Sequence, residues 1–359
     1  MPKEIEFNFG QARLRRWLAG YCLLLLEGLA GAVLAGTADI EWQPLIAEQG
    51  SPAIYEPSAV RQLVDGQLLL VQDESSDPFG LVRLGRRGQA TTLQRPTLDT
   101  EDRPFWILGR AEPPRGLEDL EGLAAGAGGY LYAITSHSRT ESGNRRKSRE
   151  RLARLRVEDG RIRDFAVFGK LRKAIMAAYP ELKASARSAH GKGRKGFNIE
   201  GLCSERDKHR LLIGLRSPIL DGYSLILVLE NPAAVFQADA APVLAPEPIR
   251  LDLDKGGIRA MTYVPMLDSY LLVTQRAKKK GPSGRPFRLW IWSGSGRDAA
   301  YPLEPPGINL RNTEGITPVR LGERHYLLLV SDDGNRNRDL PGHYLLLPLE
   351  ALGLPLKRQ

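Results

Sequence analysis

"DLEGLAAGAGGYLYAITSHSR", Asp119 to Arg139, decides the fold. An acidic residue and a Gly open a short apolar run, a Gly-rich turn follows, and a second apolar run ends in His and Arg. Two runs of this length, rich in Leu, Ile and aromatics and separated by Gly, read as the strands of a hairpin. The same arrangement recurs in "EPSAVRQLVDGQLLLVQDESS" from Glu56, "NIEGLCSERDKHRLLIGLRSP" from Asn198, "GIRAMTYVPMLDSYLLVTQR" from Gly257 and "NTEGITPVRLGERHYLLLVSDDG" from Asn312. The anchor positions are Ser58, Glu121, Glu200, Arg259 and Glu314, with gaps of 63, 79, 59 and 55 residues. Within a unit the spacing is tighter. Glu121 to His137, Glu200 to Arg216 and Arg259 to Gln275 are each 16 residues, and Glu314 to Asp332 is 18.

Each unit continues with a third apolar run, "FGLVRL", "RLARLRV", "YSLILVL", "FRLWIW" and "HYLLLPL". Most show a fourth, as in "ATTLQRP", "RIRDFAVF" and "PIRLDLD". Units of four short antiparallel strands at this period predict an all-β chain folded as a β-propeller. Five blades are counted over residues 39–359, or six if the long gap after Glu121 hides strands. That gap holds "GKLRKAIMAAYPELKASARSA", Gly169 to Ala189, which reads as a short helical insertion in the second blade, ending at Pro180. The last unit lacks a fourth run before the chain ends. "DIEWQPL", from Asp39, is expected to supply it, because an open sheet edge invites mispairing.

Composition agrees. Of the 359 residues 42% are apolar, enough for a large core, and 37 Gly with 25 Pro suit many turns. A net charge of +9 favours acidic partners such as phosphate esters. Residues 1–38 read as a secretory signal or N-terminal anchor. "ARLRRW" is a basic flank, "LAGYCLLLLEGLAGAVLAG" an apolar stretch, and Gly36 and Ala38 offer a small-residue exit, with Glu27 as the discordant residue. The expected location is periplasmic or secreted, with an N-terminal anchor or a cytoplasmic protein as the alternatives. No transmembrane domain is expected in the mature chain. Removal of the leader takes Cys22 with it and leaves Cys203 as a lone thiol.

In an antiparallel hairpin the start of the first strand lies beside the end of the second. One face of the disc should therefore carry Asp73 and Glu74, Glu121 with His137 and Arg139, and Glu200 with Arg216. It continues with Arg259 beside Gln275 and Arg276, then Glu314 beside Asp332 and Asp333. Three uses of this ring remain open. Glu121, Glu200, Glu314, Asp332 and Asp333 are oxygen donors of the kind that hold Ca²⁺. His137, Arg139, Arg216, Arg259 and Arg276 form an anion-binding set, since guanidinium forks suit phosphate and carboxylate. Acids and bases also pair, in which case the ring locks blade to blade.

Other signals exclude more than they assign. His190, His209, His325 and His343 lack zinc spacing. Ser136 and Ser138 flank His137, but neighbours on a strand point to opposite faces, so a serine nucleophile served by that His is not expected. The basic runs "RTESGNRRKSRER", "KASARSAHGKGRKG" and "QRAKKKGPSGR" contain no aromatic for base stacking, so sequence-specific nucleic-acid binding is not expected.

The repeated "EGL" and "EGI", with "SHSR", "GLRSP" and "SDDG", resemble a bacterial β-propeller family of unknown function, itself similar to the esterase-like phytase propellers. The resemblance spans roughly Glu56 to Leu347. The wider group of calcium-dependent propellers uses a Glu before Gly as a metal ligand, which implies ligand roles for Glu121, Glu200 and Glu314. Arg259 and Ala260 replace that pair in the fourth unit. The function so implied is a phytase-like, calcium-assisted phosphoesterase acting on an anionic small molecule. The alternative is a non-enzymatic propeller that binds a protein partner or glycan.

Overall fold

A computed structural model describes residues 40–46, 53–73, 77–98, 116–188, 196–276, 286–305 and 307–357. The expected leader, Glu74, His190 and most of the third basic run lie outside the described residues. The first strand, β1 (Gln43–Pro44), precedes five sheets. Blade 1 is β2 (Pro57–Gln62), β3 (Leu68–Gln72), β4 (Phe79–Leu84) and β5 (Ala90–Gln94); β6 (Thr97–Leu98) follows it. Blade 2 is β7 (Leu120–Ala125), β8 (Leu131–Thr135), β9 (Leu152–Glu158) and β10 (Arg161–Phe168), and β6 joins its outer edge in parallel. Blade 3 runs β11 (Asn198–Ser204), β12 (Leu211–Ser217), β13 (Ser224–Leu229) and β14 (Ile249–Leu251). Blade 4 runs β15 (Gly257–Val264), β16 (Ser269–Gln275), β17 (Phe287–Trp292) and β18 (Tyr301–Leu303). Blade 5 is β19 (Thr313–Leu321), β20 (Arg324–Ser331) and β21 (His343–Pro348), completed by β1. The protein is thus a five-bladed β-propeller, with no sixth sheet among the described residues.

Closure uses the segment expected for it. Gln43 pairs with Tyr344 and Pro44 with His343, Leu45 N donates to Gly342 O, and the Tyr344 hydroxyl reaches Gln43 and Gly88 O. Pro44 is tolerated because β1 is an edge strand with no further ladder to feed.

Five apolar clusters fill the five blade junctions. The junction of blades 1 and 2 holds Leu69, Phe79 and Leu81 against Leu120, Leu123 and Leu155. That of blades 4 and 5 holds Leu271 and Leu289 against Leu327 and Leu345. The insertion belongs to this core. α1 (Leu171–Ala178) and α2 (Lys183–Arg187) are joined by a 3-10 turn at Pro180–Leu182, and they bury Leu171, Ile175, Tyr179 and Leu182 between blades 2 and 3. One further helix, α3 (Pro232–Gln237), follows β13 and opens on proline at a position that needs no N–H.

The inner strands β2, β7, β11, β15 and β19 carry a shared irregularity. In each, the register slips at the same place: between Pro57 and Ala59, Leu120 and Gly122, Ile199 and Gly201, Ile258 and Ala260, and Thr313 and Gly315, with a second slip in β11 between Asn198 and Ile199. The residue inside each shared slip is the anchor, Ser58, Glu121, Glu200, Arg259 or Glu314. A bulge bends its strand and re-aims a side chain out of strict alternation. The residue after each anchor is Ala or Gly because the next blade comes close. A Cβ on Gly122 would stand 2.6 Å from Leu202 Cβ, and one on Gly315 2.9 Å from the Ala59 Cα.

Gly315→Ala should therefore cost roughly 1–3 kcal/mol in urea unfolding, the usual cost of overpacking against backbone. Gly296→Ala, whose added methyl would meet Ile249 at an ordinary 3.7 Å, should cost far less. Equal losses would mean that the close approach of the blades does not set the small-residue requirement.

Candidate functional site

The anchors meet at one end of the axis, and ion pairs link several of them. Arg259 Nη1 lies 2.7 Å from Glu200 Oε2, its Nη2 pairs with Glu314, and Arg216 Nη1 meets Glu200 Oε1 at 2.5 Å. Asn198 Nδ2 donates to the same Glu200 oxygen at 3.0 Å. Blades 3, 4 and 5 are thus joined by a belt in which Arg259, only 5% exposed, sits between two carboxylates. Burial pulls the Arg259 guanidinium down from its usual range, and Glu200 pulls it back up. Blade 1 joins blade 2 without charge, through Ser58 Oγ donating to Leu120 O at 2.5 Å. A space of about 10 Å³, no more than one water needs, lies among Glu121, Glu200 and Glu314 and the small residues Ala59, Gly122, Ala260 and Gly315.

Glu121 stands outside the belt. It is 6% exposed and makes no hydrogen bond or ion pair among the described residues. Burial, then repulsion from Glu200, Asp73 and Asp119, pushes its carboxyl well above the usual carboxylate range, and Arg259 offsets this only in part. One ligand oxygen from each of Asp73, Asp119 and Glu121 lies within 4.8 Å of the others. Arg149 Nη1 is 3.0 Å from Asp119 Oδ2, and its Nε is 3.0 Å from Glu118. Asp332 acts on Arg259 across the rim. Acids dominate this mouth: Asp73, Asp119, Glu121, Glu200, Glu314 and Asp332 gather against Arg149, Arg216 and Arg259.

The remaining residues expected at the mouth are engaged elsewhere. His137 is wholly buried, with Nδ1 at 2.9 Å from Thr135 O. Burial drives its pKa down to about 4, so it is neutral at physiological pH. Its carbonyl accepts from Arg172 of α1, and Arg172 Nη2 and Arg139 Nε both donate to Ala186 O. His137 and Arg139 therefore moor the insertion. Arg276 Nη1 pairs with Asp254 at 2.9 Å, and Asp333 with His343 at 2.9 Å. Ser136 and Ser138 bond Asp119, and neither bonds the His137 ring among the described residues; strand alternation is not the reason, since β8 ends at Thr135 and His137 has a left-handed φ of 55°. Cys203 is buried and its thiol is pushed up to about 12 by that burial, which makes it a poor nucleophile. A cleft of about 390 Å³ lies against Phe287, Arg288 and residues 303–305 and 307–310, and none of the residues predicted from sequence is among those lining it.

Asp119, Arg149 and the two serines escaped the sequence reading as site residues. The signal was present in the repeat. The position two before the anchor is polar in four of the five units, as Glu56, Asp119, Asn198 and Asn312.

Comparison with known proteins adds the fold and little chemistry. Residues 180–239 match a family described as a protein of unknown function (DUF3616). That match and the fold bear out the resemblance to a propeller family of unknown function. No curated protein matches the chain. Among solved structures, an exo-β-1,3-galactanase from Phanerochaete chrysosporium is 10% identical with a TM-score of 0.50, over 87% of this chain and 65% of its own. The β-propeller domain of Myceliophteria thermophila Cps50 (Swd1) is 12% identical with a TM-score of 0.37, over 85% and 99%. The PQQ domain of a pyranose dehydrogenase from Coprinopsis cinerea is 8% identical with a TM-score of 0.41, over 85% and 94%. These likenesses concern the fold alone. Among the described residues no helix is long and apolar enough to cross a membrane.

Arg259→Met should destabilise the propeller by about 3 kcal/mol in urea unfolding, because it strips the cation from Glu314 and leaves buried Glu200 with Arg216 alone. A loss under about 1 kcal/mol would show the belt to be incidental. For His137 the folded protein resists the proton, so stability is complete above pH 6.5 and is lost as pH falls from there through about 4. The loss amounts to roughly 3 kcal/mol. His137→Asn, which suits the left-handed φ of 55° at this position, should flatten that acid limb. An unchanged pH profile would discount His137 as its source.

Proposed function

We propose that the mouth of the propeller holds a divalent cation, Ca²⁺ by its chemistry, and serves hydrolysis of a phosphoester. The observation that supports this reading is Glu121, a carboxyl buried among like charges with no partner of its own among the described residues. A cation is what such a group lacks. The donor set suits a hard ion, being all oxygen, and separations of no more than 4.8 Å do not exceed the span of two oxygens bound across Ca²⁺ at about 2.4 Å each. Asp73, Asp119 and Glu121 would hold it. Glu200 and Glu314 are committed to Arg259 and stand outside that set. A bound cation would polarise the phosphoryl group and offset its charge.

The protein's own part is positioning and charge. Arg149 and Arg216 border the triad and keep some exposure, so their guanidinium forks can take phosphoryl oxygens while Asp119 and Glu200 steady them. An anionic small molecule suits a chain of net charge +9. Export belongs to the same reading. It is supported by the basic and apolar pattern of residues 1–38, and a calcium site fits an extracellular compartment. The belt around Arg259 supports the second reading, a propeller whose ring is a structural lock and whose faces bind a partner.

Thermal unfolding in EDTA and then with excess Ca²⁺ separates the two. A Ca²⁺ concentration 100 times Kd should stabilise the protein by about 2.7 kcal/mol. Glu121→Gln should abolish that response while raising the EDTA midpoint by a few degrees, since repulsion is removed. The folded protein holds the Glu121 proton more tightly than the unfolded chain does. In EDTA, stability should therefore fall as pH rises from the ordinary carboxylate range through the raised folded value, and Glu121→Gln should remove this slope. Calcium that shifts neither protein defeats the cation site. Calcium that binds without turnover of aryl phosphates leaves the site and defeats the hydrolase.

A further inference from the structure

Asp119 sits where the chain leaves its ordinary path. Its φ is 65°, and that of His137, across the hairpin, is 55°. Both lie in the left-handed region, which costs a non-glycine residue on the order of 1 kcal/mol. Hydrogen bonds over-determine the arrangement. Ser136 N donates to Asp119 O at 2.8 Å. The hydroxyls of Ser136 and Ser138 both donate to Asp119 Oδ2, the latter at 3.1 Å, and Arg149 Nη1 reaches the same oxygen at 3.0 Å. Each hydroxyl has one proton. With both given to Asp119, Ser136 Oγ still accepts from Ser138 N at 3.1 Å. Asp119 and both serines are no more than 2% exposed, so water does not compete.

Arg149 supplies countercharge to buried Asp119 by direct contact, and Arg216 adds to it from further off. Two further donors on the same oxygen add direction, because together they fix the rotation of the carboxylate about its Cβ–Cγ bond. We infer that Ser136 and Ser138 are positioning residues for the cation site, holding Asp119 at the rotation that keeps its ligand oxygen beside those of Asp73 and Glu121. This inference rests on the cation reading above and assigns the serines no contact with substrate. It also divides the "SHSR" motif. The serines aim a carboxylate inward, while His137 O and the Arg139 side chain moor the insertion outward.

Calcium titration of the whole protein by calorimetry reads affinity, and the unfolding midpoint in EDTA reads structural damage separately. Ser138→Ala should weaken Ca²⁺ binding about 10–100-fold, the usual loss when a partner of a ligating carboxylate is removed. Ser138→Thr keeps the hydroxyl and should restore affinity to within a few-fold. Ser136→Ala is the parallel variant and answers the question if Ser138→Ala does not fold. A serine-to-alanine variant that binds Ca²⁺ as tightly as the unaltered protein overturns the positioning role and leaves the cation site standing. An unaltered protein that binds no Ca²⁺ overturns both.

Discussion

Five inner strands must converge on one axis, and the structure depends on how each makes room. A regular strand would send alternate side chains to its two neighbouring blades and leave nothing for the centre. One extra residue at the same place in every inner strand changes this. It frees a side chain for the mouth and lets the following Ala or Gly accept the next blade. The mouth and the blade junctions are thus consequences of one backbone device, so the polar ring cannot be altered without touching the packing beneath it.

Electrostatics then divides the ring into two halves. Around blades 3, 4 and 5 one guanidinium serves two carboxylates, an arrangement that repays burial only because both its neighbours are acids. Around blade 2 acids face acids, and Glu121 bears the cost. The unbalanced half is also where Asp119 and His137 hold left-handed backbone and where Arg149 and two serines converge. Strain and unpaired charge occurring together set that side apart from the rest of the rim.

The blade architecture was legible because each strand run is short, apolar and bounded by turn residues, and because the anchor pattern repeats. The closing strand was legible from a deficit, a fourth strand missing at one end of the repeat and available at the other. The two helical turns beyond Pro180 were not, since a 3-10 turn and a five-residue helix carry little periodicity of their own. At the mouth, the anchors and Asp73 were found by hairpin geometry. Asp119, Arg149 and the serines were not, because their convergence depends on a loop returning to β7 from thirty residues on. His137 and Arg139 sat at the right end of the right strand, yet the insertion draws His137 O and the Arg139 side chain away, which hairpin geometry alone does not reveal.

The closing contact joins residues 301 positions apart, Tyr344 and Gln43. At a synthesis rate of 5–20 residues per second, roughly 15–60 seconds pass between the emergence of β1 and that of its partner. During that interval β1 has no sheet to enter and blade 5 has no outer edge. Until then the ring stays open, whatever hairpins the earlier blades have closed within themselves. Ring closure is therefore a timer as well as a fastening, set by where along the chain the last blade is split.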